Sequence, residues 1–339
     1  MMHLVTGATG FLGSHLLYHL LQKGEHIRAI HRAGSSFKLL DRVFGFYNSS
    51  KESFAGQVEW VETDLNDIYA LQKCFEGIET VYHVAGKVSF LPADRAALKD
   101  VNVNGTANMV NMALLFPITK FCYVSSIAAL GRADYSNVID ENVVWKSSKR
   151  NSNYAVSKYG GEREVWRGIE EGLNAIIVNP GIILGPGEIS SGSTRLVQTV
   201  DNGLKFYTSG TNGFIDVRDV AEIMMRLMES NISGERFILV AENMDYKTLF
   251  EIIAKNLNKP APAYKAVPWM GNLAWRWYAL RSFFTGIKPL VTRETATTAT
   301  YNYEYSADKI RQILNYNFIP VNQTIAELCS YHLKQIKES

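Results

Sequence analysis

Tyr154-Ala155-Val156-Ser157-Lys158 sets a phenol and an ammonium at positions i and i+4. On a helix that spacing puts both on one face, about one turn apart. A free tyrosine titrates near ~10, too high for efficient proton exchange at neutral pH. A neighbouring ammonium favours the phenolate and lowers that value, so such a tyrosine is equipped to exchange a proton with an oxygen. Tyr69–Lys73 and Tyr305–Lys309 repeat the spacing, and a surface or packing pair is the plain reading of both. Only Tyr154 follows a run, Tyr123-Val124-Ser125-Ser126, that reads as the C-terminal end of a strand carrying two hydroxyls. Active groups of open parallel sheets gather at such ends.

The second constellation is Thr6-Gly7-Ala8-Thr9-Gly10-Phe11-Leu12-Gly13, where the first strand meets the first helix. Glycines let the backbone turn tightly and approach a diphosphate held on free helix N–H groups. A plain strand-to-helix turn would use glycines too, but the position in an opening βαβ unit favours a dinucleotide. The end of the second strand selects which one. A carboxylate there accepts from a ribose 2′-hydroxyl, whereas an arginine accommodates a 2′-phosphate. This chain has His31-Arg32, then Ser35, Ser36 and Lys38, with no acid until Asp41. A guanidinium pairs with phosphate through two parallel bonds. NADP(H) is the expected cofactor and NAD(H) the secondary one, and an oxidised nicotinamide beside Tyr154 would favour its phenolate further.

Short apolar runs alternate with helical patterns through the first half. Leu4–Thr6, His26–His31, Val58–Val61, Thr80–Val84, Phe121–Ser125 and Ala175–Val178 read as strands. Between them lie a helix with Leu16, Leu17, Leu20 and Leu21 on one face, then Asp67–Phe75, a long helical stretch Asp94–Phe116, and Asn153–Glu170. Apolar strands separated by helices define an α/β chain with a doubly wound, Rossmann-type parallel sheet. After Pro180 the rhythm breaks into glycine- and serine-rich turns, followed by helices at 218–229, 245–255, 270–283, 307–314 and 323–335 and a strand at 236–240. Residues 1–180 therefore read as the dinucleotide-binding and catalytic domain, with strands between about 205 and 240 returning to it. Residues 181–339 read as a smaller mixed α/β substrate lobe.

Composition narrows the class. Lys+Arg number 35 and Asp+Glu 33, a net charge of +2 that gives little drive towards nucleic acid or an anionic membrane. With 47% hydrophobic and 20% charged residues, disorder and coiled coil are excluded. Cys74, Cys122 and Cys329 lie far apart with no ligand-spaced partner, and an odd count fits a reducing compartment. No run of about 18 apolar residues implies a membrane span, and Leu4-Val5 leads directly into the glycines, so a cytoplasmic location is expected. No metal constellation stands out. His15 and His19 share a helix face without a third ligand and read as a surface or half-buried pair.

Taken in order, the motifs resemble an extended short-chain dehydrogenase/reductase, within the NAD-dependent epimerase/dehydratase superfamily. The matching segments are Thr6–Gly13, Asp64-Leu65, His83-Val84-Ala85-Gly86, Asn102-Val103-Asn104-Gly105-Thr106 and Val124-Ser125-Ser126. They continue through Tyr154–Lys158, Asn179-Pro180-Gly181 and Phe214–Ala221 to Tyr305-Ser306, Lys309 and Pro320. The chain is most similar to the dihydroflavonol-reductase and 3β-hydroxysteroid-dehydrogenase-like branch. The resemblance implies Tyr154 as general acid/base, Lys158 as the group that lowers its pKa and holds the nicotinamide ribose, and Ser126 as binder of the substrate oxygen, with Ser125 the neighbouring alternative. It implies that Asn102 supports the active-site helix and a proton path, although a helix-packing asparagine fits that position too. Asp64 and Leu65 would flank the adenine, Ala85 and Gly86 the phosphate-ribose side, and Pro180-Gly181 the nicotinamide. Dimers built from helices near 100–115 and 155–170 are implied as well.

Three activities compete. A carbonyl reductase or alcohol dehydrogenase needs only the features above. A nucleotide-sugar epimerase or dehydratase with tightly bound cofactor generally carries an arginine before the Phe214–Ala221 motif, and this chain has Asn212 there. A non-catalytic NADP-binding sensor would typically have lost the Tyr154–Lys158 pair. For the substrate pocket, Val88, Ser89, Phe90 and Ile182 are the named candidates, while Lys87 either contacts cofactor phosphate or is solvated. The segment Trp269–Phe284 is dense in aromatics; it reads as core, as a pocket wall for a flat apolar carbonyl compound, or as a surface for a partner or lipid.

Overall fold

The computed structural model describes residues 1–131, 138–148, 151–188, 192–267, 269–270, 275–277 and 300–338. Its strands in chain order are β1 (Met2–Thr6), β2 (His26–His31), β3 (Val58–Glu62), β4 (Thr80–His83), β5 (Lys120–Val124), β6 (Val138–Ile139) and β7 (Ala175–Pro180). After these come β8 (Ile182–Leu184), β9 (Phe206–Tyr207), β10 (Thr211–Asp216), β11 (Glu235–Leu239), β12 (Glu242–Asp245), β13 (Tyr264–Lys265) and β14 (Glu304–Tyr305). Seven of them pair in parallel in the order β11-β7-β5-β4-β1-β2-β3. The order turns back between β1 and β4, and a crevice opens there beyond the carboxyl ends of the strands.

The pleat explains how one short strand serves two layers. Along β5 and β7, Cys122, Val124, Ile176 and Val178 face one core, while Phe121, Tyr123, Ala175 and Ile177 face the other. The first core is closed by helix α1 (Phe11–Gln22), helix α2 (Lys38–Phe46) and later helices. The second is closed by α3 (Ile68–Cys74), α5 (Gly105–Leu115) and α6 (Asn153–Glu170), with α4 (Arg95–Lys99) packed against α6. The chain is thus a doubly wound α/β fold. Strand β11 joins the large sheet beside β7, whereas β10 lies between β8 and β12 in a separate three-stranded sheet. The remaining helices, α7 (Thr194–Asp201), α8 (Val217–Glu229), α9 (Tyr246–Leu257), α10 (Asp308–Leu314) and α11 (Val321–Glu338), pack around that smaller sheet and the first core.

Two local expectations need correction. The stretch Asp94–Phe116 is not one α-helix: α4 and α5 are joined by a wider π turn, Asp100–Asn104. Of the pair expected at the surface or half-buried, His19 is half-buried but His15 is fully buried, bonded to the Tyr47 hydroxyl at 2.7 Å and to the Pro186 carbonyl at 2.9 Å. Burial pushes its pKa down to about 4, so it packs as a neutral ring. The aromatic segment falls largely outside the described residues; within it, Trp269 and Trp277 are exposed.

Candidate active site

The glycine loop forms because three backbones crowd at one point. Gly7 has φ +71°, and its carbonyl accepts from Gly10 N at 2.9 Å. A Cβ on Gly13 would stand 2.0 Å from the Gly7 oxygen, so helix α1 starts this close to β1 only with glycine there. The N–H groups at the start of α1 then face a cleft of about 570 Å³. Gly7, Thr9, Gly10, Phe11, Leu12 and Gly13 line its first wall; Arg32, Asp64 and Leu65 stand at one end. Ala85, Gly86, Lys87, Ser125, Pro180 and Gly181 continue the lining to the other end, where Ser126, Tyr154 and Lys158 lie. A bare glycine cradle leading to a tyrosine–lysine pair suits a dinucleotide lying along the cleft. Arg32 is exposed at the mouth beside Ser35, and among the described residues it makes no ion pair.

Helix α6 begins at Ser152, whose hydroxyl accepts from Ala155 N at 3.0 Å and caps the first turn. Tyr154 stands in that turn, and the Ser126 side chain lies near enough to its phenol to favour the phenolate. Ser126 is itself fixed, because its Oγ accepts from Ala128 N at 3.1 Å. Ser125 points the other way: its Oγ donates to Glu162 at 2.6 Å, away from Tyr154. Of the two serines, Ser126 is therefore the one that meets the phenol.

Lys158 is 4% exposed and donates to the Tyr123 hydroxyl at 3.0 Å and to the Val124 carbonyl at 2.8 Å. Burial pushes its pKa down to about 7, opposed by the negative charge of Glu162. The shared face of Tyr154 and Lys158 is as expected, but the expected fall in the Tyr154 pKa is not. Because the ammonium is turned towards β5, burial dominates and raises the phenol above its ordinary value; the neighbouring Ser126 side chain opposes the rise. The approach of α6 to β5 depends on Gly161, where a Cβ would meet the Asn102 carbonyl at 2.2 Å and the Tyr123 hydroxyl at 2.5 Å.

Asn102 sits in the π turn, outside the cleft lining. Its Oδ1 accepts from Lys87 N at 2.7 Å, and its Nδ2 donates to the Lys87 carbonyl and to Ser157 Oγ, both at 2.9 Å. It ties the loop after β4 to helix α6 at Ser157. Lys87 turns to Asp94, with N to O of 3.5 Å. Val88 lines the cleft and is exposed, while Phe90 packs edge-on against Tyr154 with centroids 5.7 Å apart. Ser89 bonds Asp94, and neither Ser89, Phe90 nor Ile182 lines this cleft. Ile183 lines it instead: with one residue per face along β8, its neighbour Ile182 falls outside. The sequence reading missed Glu162 and Tyr123. A glutamate inside a helix reads as solvated, and only its place four residues after Lys158 hints otherwise. Among the described residues no cluster of His, Cys, Asp or Glu is arranged to hold a metal, and no helix is long and apolar enough to cross a membrane.

A doubly wound sheet, a glycine cradle at its turning point and a Tyr–Lys helix at the far end of the cleft define a dinucleotide-dependent enzyme of the short-chain dehydrogenase/reductase type. The chain belongs to the NAD dependent epimerase/dehydratase family, whose model matches residues 3–240. It is 29% identical over 330 residues to a Synechocystis sp. protein provisionally named dihydroflavonol 4-reductase, covering 95% of this chain and 92% of the relative. It is 28% identical over 267 residues to sterol demethylase protein B of Methylococcus capsulatus, covering 78% and 77%. The solved structure of gox2253 superposes with a TM-score of 0.80 at 29% identity, covering 98% of each chain.

Proposed function

We propose that the chain is an NADP(H)-dependent oxidoreductase that reduces a carbonyl, or oxidises the corresponding alcohol, of a small, flat or apolar compound. The observation that carries the reading is that Tyr154, Ser126 and Lys158 line the same cleft as the glycine loop, with Lys158 one helical turn after Tyr154. The nicotinamide supplies or accepts the hydride. Ser126 orients the substrate oxygen, and Tyr154 protonates that oxygen as the alcohol forms. Lys158 stands by as the ammonium that favours a transient phenolate. Asn102 holds the loop at Lys87 and the Tyr154 turn in one frame through its three bonds. Gly7 to Gly13 and the first turn of α1 receive the diphosphate, Asp64 and Leu65 the adenine, and Arg32 a 2′-phosphate.

A flat apolar substrate is favoured by the relatives named for a flavonol ketone and a sterol. It is also favoured by Asn212, which offers its amide to the Tyr246 hydroxyl where a substrate diphosphate would need a cation. Arg218, the next arginine along the chain, is committed to Asp216 and Glu327. The reading extends to a cytoplasmic enzyme, with 1–180 as cofactor domain and 181–339 as substrate lobe. It also extends to dimers through α5 and α6, whose Leu115 and Val156 are exposed. The test is NADPH oxidation against aldehydes, ketosteroids, flavonoid-type ketones and nucleotide sugars, with Tyr154→Phe as control. Turnover of ketones or aldehydes, lost in Tyr154→Phe while NADPH still binds, is the expected result. Turnover of nucleotide sugars alone would make the chain an epimerase or dehydratase, and full activity in Tyr154→Phe would remove the catalytic assignment.

A further inference from the structure

Glu162 is 1% exposed, an unusual place for a carboxylate unless it is thoroughly paired. It stands one helical turn beyond Lys158 on α6. Four side chains from four directions donate to it: Ser125 Oγ at 2.6 Å, Asn179 Nδ2 at 2.8 Å, Arg236 Nη1 at 3.2 Å and Trp166 Nε1 at 3.4 Å. Ser125 directly follows β5 and precedes Ser126. Asn179 lies near the end of β7, just before Pro180-Gly181, and its amide also donates to the Ser126 carbonyl at 3.0 Å. Arg236 comes from β11 and grips the carbonyls of Glu141 and Val143 in the loop leading to α6.

We propose that Glu162 is a positioning residue of the active site: its carboxylate pins the ends of β5 and β7 to α6, and its charge faces the Lys158 ammonium. The inference rests on the catalytic reading of Tyr154 and Lys158 for its consequence, but not for its electrostatics. The groups that face Lys158 are few. Tyr123 on β5 offers a neutral hydroxyl, and Tyr154 on α6 is a neutral phenol held there by burial. His83 on β4 is buried and uncharged at neutral pH, its pKa pushed down to about 3 by burial. Asn102 from the π turn carries no charge, and Lys87 is paired with Asp94. Glu162 is the carboxylate that acts on Lys158, and Arg236 is the cation on its far side. Charges therefore run plus, minus, plus from the cleft to the sheet edge.

That alternation makes a prediction of sign that a merely structural Glu162 would not. Removing the negative charge disfavours the ammonium, and removing the outer positive charge favours it. The experiment is a 13C NMR titration of the ε-methylene of Lys158 in the full chain, assigned with Lys158→Met, for wild type, Glu162→Gln and Arg236→Gln. The Lys158 midpoint should fall by about one pH unit in Glu162→Gln and rise in Arg236→Gln. At a pH above the wild-type midpoint, Glu162→Gln should also lose about tenfold in carbonyl reduction. Midpoints that stay put in both folded variants, or move the same way, overturn the proposal. If Glu162→Gln does not fold, the direction in Arg236→Gln decides alone: a rise supports the proposal and anything else refutes it. Midpoints that move as expected while Tyr154→Phe keeps full activity would sink the catalytic reading and leave this pairing standing.

Discussion

Replacing Lys158 by methionine should stabilise the protein at pH 6 and destabilise it at pH 10. In the unfolded chain the amine titrates near its ordinary 10.5; in the fold burial brings it to about 7. Between those values the unfolded state binds more protons, so stability rises with pH across the window. Below pH 7 the folded chain bears the full cost of a desolvated ammonium. At ~1.4 kcal/mol for each tenfold change in proton affinity, that cost is ~5 kcal/mol. Methionine removes the charge and keeps most of the volume, but it strips a donor from two buried acceptors. The Tyr123 hydroxyl still has the Thr106 side chain nearby, whereas the Val124 carbonyl loses the Lys158 donor outright. Such an acceptor costs ~1–3 kcal/mol. The net at pH 6 is a gain of ~2–4 kcal/mol. Near pH 10 the native amine is neutral and most of its penalty is gone, so only the lost bonds remain and the variant is weaker by ~1–3 kcal/mol. Urea unfolding at 25 °C of both proteins at pH 6, 8 and 10 reads the crossing directly. A variant less stable by the same margin at every pH would show that the ammonium is not desolvated, and the argument would fail with it. The same variant should be inactive, which separates what the lysine does for catalysis from what it costs the fold.

Gly13→Ala should fold poorly or fail to bind NADPH, because its Cβ meets the Gly7 carbonyl and Ala8 Cα, both backbone, at 2.0 and 2.9 Å. Gly24→Ala is the control: it has φ +80° but open space, so it should cost about 1 kcal/mol in urea unfolding and leave NADPH affinity unchanged. Arg32→Ala should weaken NADPH binding by about tenfold and NADH binding hardly at all, measured by nicotinamide fluorescence titration. Equal affinities for both dinucleotides, untouched by the substitution, would remove the 2′-phosphate role.

Much of this arrangement was legible because it rests on local pattern. The strand His26–His31 and helix Asn153–Glu170 have the bounds their apolar periodicity implies. What stayed hidden has physical causes. The π turn Asp100–Asn104 inserts extra backbone without breaking the run of helix-compatible residues, so Asn102 looked like part of one long helix. Helix Lys38–Phe46 follows Gly34-Ser35-Ser36 and contains Gly45, which mask its apolar face of Leu40, Val43 and Phe44. His15 looked peripheral because nothing local shows that the Gly185–Gly187 segment, more than 160 residues on, folds over α1. The direction of the Lys158 side chain was likewise invisible, since spacing sets a face of the helix and not the partner across it.

The buried groups around α6 also explain why the site is built on this helix. A lone ammonium in a dry cleft would lose its proton, and a lone carboxylate beneath it would be too costly to bury. Set one turn apart on a single helix, each lowers the other's cost, and Ser125, Asn179, Arg236 and Trp166 supply the donors to the carboxylate. The close approach that Gly161 permits brings this ladder against β5, where Tyr123 and the Val124 carbonyl receive Lys158. On the proposed reading, the residues that hold α6 to the sheet would also be the ones that set the charge state of Lys158. A substitution that loosens the packing there should change the pH dependence of turnover before it unfolds the chain.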